Sequence, residues 1–394
     1  AVLRRSERVV PAVRVLLISF STLPSLQKYL YTAFDELNNC GIDVWSVGSA
    51  TLRVPRRLSD HNVVVDTPAN PKPSIGSLWS SKRSLGAVAS MVEKLRPDVV
   101  HFVNKHTWNY LLLQRLQLRA RRHRPVSKWV HTFHDPIGHE GDSVRRGVII
   151  YHRLVQRRLD AVIVHSKVAQ TQTLQVLRPE CRVVRVPLGE KRWKDYEGID
   201  DSVAKTVLVF GRLNRYKGCE LYPEIFREVY RLDPEVQIRV AGQPSKDLPA
   251  GLLDRITACP NTTLDSRFIE ESEIDGCFRG ASLVLTPYTS VTQSGVILDA
   301  FRNSRSVLAF KIDGMIDLLP AGAHIVDAFD TRAYARLLVE LVNDPTACAQ
   351  AGRDAWEFGK KQFAPAAMAA GFARTYESIT RDAHQNNTDT PGEP

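Results

Sequence analysis

No run of about 18 apolar residues occurs in this 394-residue chain, so no segment reads as a membrane-spanning helix. A cysteine framework is also missing. The six cysteines (Cys40, Cys181, Cys219, Cys259, Cys277 and Cys348) are scattered, with no C-x-x-C pair and no metal-ligand spacing. That pattern favours free thiols in a reducing compartment. The opening stretch AVLRRSERVV is too broken by charge for the apolar core of a signal peptide, and a cytoplasmic protein is expected. The turn SFSTLPS (19–25) lacks a G-x-G-x-x-G, which argues against a dehydrogenase. No D-x-D stands at a strand end and no carboxylate–histidine cluster has metal spacing, so no essential metal is expected. Repeats with a period of roughly 20–50 residues are absent too.

What is present is enough apolar material, 43% of residues, for about two domains of ordinary size. The net charge of +10 is unevenly spread. Residues 1–200 hold about 32 Lys/Arg against 17 Asp/Glu, whereas the remainder is acidic, about 21 against 26. A basic half implies an anionic partner or surface. In LLLQRLQLRARRHRPVSK (111–128) the leucines take one side, and Arg115, Arg119 and Arg122 run along another, with Arg121 and Arg124 adding charge. RRGVIIYHRLVQRR (145–158) is similar. Solvated outer helices account for both, and a face for an anionic membrane is the sharper reading. Nucleic acid is not expected, because no aromatics interleave with these arginines.

Short β-branched runs alternate with amphipathic stretches from VRVLLIS (13–19) through IDVWSVG, VVHFVN and SKWVHTFHD to AVIVHS (161–166). The scheme restarts at KTVLVFG and continues through VQIRVAG, TTLDSRF, ASLVLTP and SVLAF. Continuous apolar strands between helices imply parallel sheets covered on both faces. The class is therefore α/β, two doubly wound units joined near 184–201, with ligands outside the carboxyl ends of the strands. From about 331 the chain reads as helical, ending in a polar tail over 384–394 that is expected to be disordered.

In VLVFGRLNRYKG (207–218) a buried strand gives way at once to glycine, Arg212, Lys217 and a second glycine. Glycines allow a tight backbone turn, and the cations call for an anion. Together with RPDVVHFV (96–103), WVHTFHDP (129–136), LDAVIVHS (159–166), VVRVPLGE (183–190), IRVAGQP (238–244), ASLVLTPYTSVTQSGVILDAF (281–301) and VLAFKIDGMIDLL (307–319), this loop resembles the GT-B glycosyltransferases. The match is to the retaining group called glycosyltransferase family 4, and it covers nearly the whole chain. The resemblance implies an acceptor-side Rossmann-like domain over 1–190 and a nucleotide-sugar donor domain over 191–350. It also implies helices over 351–383 that cross back to the first domain.

The resemblance further implies that Arg212 and Lys217, with Gly211 beside them, grip the diphosphate of a nucleotide sugar. Cations aimed at a leaving group that gains charge are commonly worth about 2.7–4 kcal/mol each. Thr292, Gln293, Ser294, Gly295 and Val296 would bind phosphate and sugar at a helix N-terminus, and Asp299 would accept from the ribose. Relatives often carry two carboxylates across this turn; the first falls here on Val291 or Thr292. His134 would lie over the donor sugar from the opposite domain, with Asp135 orienting it or capping a turn. Arg267, Phe268 and Ile269 match the stretch whose backbone reads the base. Ser21 and Thr22 would flank the acceptor in a loop that lacks the usual Gly-Gly. The implied activity is retaining transfer from a UDP- or GDP-sugar to a hydroxyl acceptor, without cofactor or metal. Two alternatives stay open: an epimerase on the same fold, and a non-catalytic scaffold subunit of a membrane assembly.

Overall fold

The computed structural model describes residues 13–49, 61–67, 75–120, 127–138, 145–189, 192–203 and 205–388. In the first domain the order is β1 (Arg14–Ile18), α1 (Pro24–Asn39), β2 (Asp43–Ser49), β3 (Asn62–Val65), α2 (Ile75–Leu95) and β4 (Val99–Phe102). Next come α3 (Thr107–Ala120), β5 (Lys128–Thr132), α4 (Arg145–Gln156), β6 (Ala161–Val164), α5 (Lys167–Gln172) and β7 (Arg182–Arg185). All neighbouring strands are parallel, in the order β3-β2-β1-β4-β5-β6-β7. The order reverses between β1 and β4, so the loops after these two strands open the crevice.

The second domain repeats the plan with β8 (Thr206–Phe210), α6 (Tyr222–Leu232), β9 (Gln237–Ala241), α7 (Leu252–Thr257), β10 (Thr262–Asp265), α8 (Glu271–Arg279) and β11 (Leu283–Thr286). It continues with α9 (Gly295–Arg302), β12 (Ser306–Phe310), α10 (Asp313–Ile316), β13 (His324–Val326) and α11 (Thr331–Val342). Its parallel order is β10-β9-β8-β11-β12-β13, with the reversal between β8 and β11. Helix α6 shows why these segments fold as they do. Tyr222, Ile225, Phe226 and Val229 recur at helical spacing and are buried on the sheet. Each contributes roughly 1.5–3 kcal/mol through burial, and Asp233, in extended backbone, ends the helix.

Two helices complete the chain. α12 (Pro345–Gln362) lies on α9 and β12 in the second domain, whereas α13 (Pro365–Thr388) crosses back. α13 buries Met368, Ala369, Phe372, Tyr376 and Ile379 in the cluster that holds Tyr29, Leu30, Ala33, Phe34 and Leu37 of α1. Of the helices expected to return, only α13 does so, because the buried face of α12 is spent on α9. The tail expected from 384 instead continues α13 to Thr388, and 389–394 lie outside the described residues, as do Arg121, Arg122 and Arg124.

The two crossings between domains run side by side. A Cβ placed on Gly189, where the first domain ends, would stand 2.6 Å from the carbonyl oxygen of Ala364, between α12 and α13. Beyond it, Trp356 donates its indole N–H to the carbonyl of Lys194 at 3.1 Å, fastening the connecting segment to α12. Arg305 is buried in the second domain and gathers carbonyls: Ala281 at 2.5 Å, Asn303 at 2.8 Å and Arg279 at 3.2 Å. These carbonyls lie at or just past the ends of α8 and α9, so the guanidinium caps both negative helix ends.

Candidate active site

The loop after β8 is built to bring a cation back over a glycine. Gly211 takes φ +89°, and Leu213 then pairs with the segment after β9, donating to Gln243 and accepting from Ser245, each at 2.9 Å. A short 3-10 turn over Arg215–Lys217 ends at Gly218, φ +76°. A Cβ at Gly218 would lie 1.9 Å from the carbonyl oxygen of Pro287, so only glycine lets this loop touch the one after β11. Lys217 is returned to the start of the loop. Its Nζ stands 3.5 Å from the carbonyl oxygen of Phe210 and 5.6 Å from the centroid of the Tyr288 ring.

A Cβ built on Gly211 would meet Lys217 Nζ at 2.8 Å and Val296 Cγ2 at 3.1 Å. Two predicted pieces far apart in sequence therefore converge on one point, the ammonium and the first turn of α9. Ser294 caps α9, its hydroxyl accepting the Ile297 N–H at 3.3 Å. The first-turn amides and the positive end of the dipole add to the lysine charge. Lys217 is buried, and no carboxylate pairs with it among the described residues. Burial lowers its pKa from 10.5 to about 8. Arg212 is exposed on the same loop.

The first domain meets this point from β5. His134 donates from Nε2 to the carbonyl of Val103 at 2.9 Å, which leaves Nδ1 to accept the Gln293 amide at 3.2 Å. Burial lowers its pKa, so the ring is neutral and its tautomer is fixed by those two bonds. Tyr29 lies edge-on, 4.9 Å between ring centroids. Asp135 accepts the hydroxyl hydrogen of Thr292. Two consecutive residues of one domain thus hold two consecutive residues of the other, and Gln293 keeps a buried amide oxygen without a partner.

Other predicted residues sit differently. Asp299 is buried and ion-paired with Arg302 at 2.9 Å; Arg302 also reaches Asp275. Arg267 turns its side chain onto Asp265 at 3.1 Å and Glu273 at 2.6 Å. Phe268 is exposed and Ile269 buried, beyond the carboxyl end of β10. The Ser21 hydroxyl accepts the Leu23 N–H at 3.1 Å and shapes the turn into α1; Thr22 beside it is half-buried.

Sequence reasoning missed Asn104. It follows Val103, whose carbonyl holds His134, and is fully buried with neither amide atom bonded. Its signal was an asparagine ending an apolar strand. Tyr288, beneath Lys217, and the ion pair between Lys28 and Glu271 across the domains were missed as well. Among the described residues no group of three or more His, Cys, Asp or Glu side chains is placed to hold a metal ion. No helix among them is long and apolar enough to cross a membrane.

Comparison with known proteins accords with this geometry. Residues 26–189 match the glycosyl transferase 4-like domain, and residues 204–344 match the glycosyl transferases group 1 domain. The GDP-mannose:glycolipid 4-beta-D-mannosyltransferase of Xanthomonas campestris is 28% identical over 217 residues, 54% of this chain and 57% of that protein. The D-inositol 3-phosphate glycosyltransferase of Corynebacterium efficiens is 24% identical over 231 residues, 56% of this chain and 54% of that protein. The chain thus spans little more than half the length of these curated relatives. Among solved structures, sucrose-phosphate synthase from Thermosynechococcus elongatus superposes with a TM-score of 0.71 at 16% identity, over 94% of this chain and 100% of its own. HepE from Anabaena, in complex with UDP and glucose, gives 0.66 at 16% identity, over 93% and 100%. Two matched domains, two facing Rossmann-like sheets and a glycine-bounded cationic loop at the second switch point leave one assignment: the chain belongs to the GT-B glycosyltransferases of the group 1, family 4-like type.

Proposed function

We propose that the protein is a retaining glycosyltransferase that moves a sugar from a UDP- or GDP-sugar to an acceptor hydroxyl. The observation that carries this reading is the buried ammonium of Lys217, lodged between Gly211 and the first turn of α9 with no acid beside it. A charge kept out of water at that cost needs an anion to complete it. A nucleoside diphosphate supplies one, and gains charge there as the glycosidic bond breaks. Lys217 and Arg212 take the part that a divalent ion plays elsewhere, so transfer proceeds without metal in this reading. The departing phosphate accepts the acceptor's proton, and sugar departs and is attacked on one face. His134 and Gln293 border the sugar, and the unpartnered atoms of Asn104 and Gln293 suit its hydroxyls or the acceptor's.

The printed activities of the two curated relatives, one acting on a glycolipid, support an acceptor that is lipid-linked or a glycoside. The six free cysteines and the basic first half support a cytoplasmic protein in peripheral contact with an anionic membrane. Thermal stabilisation by UDP, GDP, ADP and TDP tests the donor class. The cognate nucleotide at about a hundred times its dissociation constant should add roughly 2.7 kcal/mol. The anomeric configuration of the product, read by proton NMR, then tests retention. Stabilisation by none of the four, or isomerisation of a donor sugar without an acceptor, would overturn the assignment.

A further inference from the structure

Crossover helices run antiparallel to the strands they join, so the end of α4 and the segment before β7 meet at the amino-terminal edge of the first sheet. That edge lies opposite the cleft. Between them is a surface cavity of about 620 Å³ lined by Arg153, Gln156, Arg157, Arg178 and Glu180 among others. Three guanidinium groups thus face one carboxylate. Arg153 donates to the carbonyl of Val176 at 3.0 Å. Gln156 is buried, donates to the carbonyl of Leu177 at 2.8 Å and keeps its own amide oxygen without a partner. The solvent side of α4 continues this surface. Arg146, Ile150, Arg153, Leu154 and Arg157 are all exposed and fall within one helical arc. Ile150 is 59% exposed and Leu154 43%; Leu174, on the turn that packs against α4, is 51% exposed. No acidic residue occurs in α4.

An outer helix that only faced water would carry both signs of charge and few large aliphatics. Alternating arginines and aliphatics instead match the boundary of a bilayer. There the aliphatics enter the acyl region, while guanidinium forks reach lipid phosphates with paired hydrogen bonds. We propose that this face docks on anionic phospholipid, with a headgroup phosphate in the arginine cavity and Ile150, Leu154 and Leu174 at the acyl boundary. The proposal deepens the membrane contact inferred above and rests on it. It commits that contact to one edge of the first domain, which leaves the cleft open on the other side.

The full chain is tested by flotation with neutral phosphatidylcholine vesicles, with vesicles of about one-third phosphatidylglycerol, and with the latter plus inorganic phosphate. Binding is expected only to the anionic vesicles. The pair Arg153→Gln and Arg157→Gln should lower partitioning about 25-fold, since each arginine is worth about fivefold, or about 1 kcal/mol. Ile150→Ser with Leu154→Ser should also weaken it, whereas Arg255→Gln on the exposed face of α7 removes a charge from the other domain and should do so far less. Donor hydrolysis, which none of these residues serves, should stay unchanged and report intact folding. Anionic-vesicle binding that is equal in wild type and in both double variants would overturn this site yet leave membrane contact standing. Absence of vesicle binding would overturn both. Binding of a duplex oligonucleotide instead of vesicles, displaced by phosphate, would reassign the face to nucleic acid.

Discussion

Lys217 offers a test in which stability and activity should move in opposite directions. Its ammonium is buried without an acid beside it, and burial holds its pKa at about 8 instead of 10.5. That depression means the folded state disfavours the charged form by about 3 kcal/mol relative to the unfolded chain. At pH 7 the lysine is protonated in both states, so the whole penalty is present. Lys217→Met keeps the stem and removes the charge, and should raise the unfolding free energy of the free protein by up to about 3 kcal/mol. Between pH 8 and 10.5 the native lysine has lost its proton while the unfolded one retains it. Wild-type stability therefore rises with pH across that window, and the gap to the methionine variant closes above it. A bound nucleoside diphosphate should reverse the shift, so binding at about pH 8.5 should take up protons, seen by calorimetry in buffers of different ionisation enthalpy. The variant should lose nucleotide binding and, with it, about a hundredfold or more in turnover. Urea denaturation at pH 7 and pH 10, with and without nucleotide, reads all of this. A variant no more stable than wild type at pH 7, or one that binds nucleotide equally well, refutes the account of Lys217 as a cation held ready for diphosphate.

Three further outcomes are expected. Thr292→Val removes the hydroxyl that Asp135 holds across the domains; kcat/KM should fall about tenfold, and small-angle scattering should show a more open free protein. Unchanged values in both would count against the clasp. Arg305→Leu strands the carbonyls at the ends of α8 and α9, so the urea midpoint should drop by the equivalent of about 3 kcal/mol; a midpoint within error of wild type would contradict that role. Burial lowers the pKa of His101 and His165 to about 3, and of His106 and His152 to about 4. Between about pH 6.5 and pH 4 the unfolded chain protonates these rings and the native one does not, so stability is lost as the pH drops, by up to about 1.4 kcal/mol per unit for each. All four belong to the first domain, which should unfold in acid before the second; tryptophan fluorescence still native at pH 4 would sink that expectation.

The central strands were legible because both of their faces are buried, which forces continuous apolar runs such as VLLI and LVLT. The strands missed, β3, β7 and β13, all lie at sheet edges. Their half-exposed residues, NVVV, RVVR and HIV, carry too little apolar signal in too few residues. The loop that carries Lys217 stands out for a related reason: Gly211 and Gly218, both at positive φ, mark backbone constraints that are local. The clasp of His134 and Asp135 on Gln293 and Thr292 joins residues more than 150 positions apart, and nothing local foretells it. Asp299 is a different case. Its partner Arg302 stands three residues on, a helical spacing open to view.

The close passage of Gly189 beside Ala364 has a mechanical consequence. Where two strands of chain go from one lobe to the other through a single spot, that spot behaves as an axle. Sliding of the lobes would have to drag both threads at once, so swinging about the spot is the motion left. The glycine is what allows the threads to touch, and a bulkier side chain there would wedge the joint and alter the angle at which the jaws come to rest.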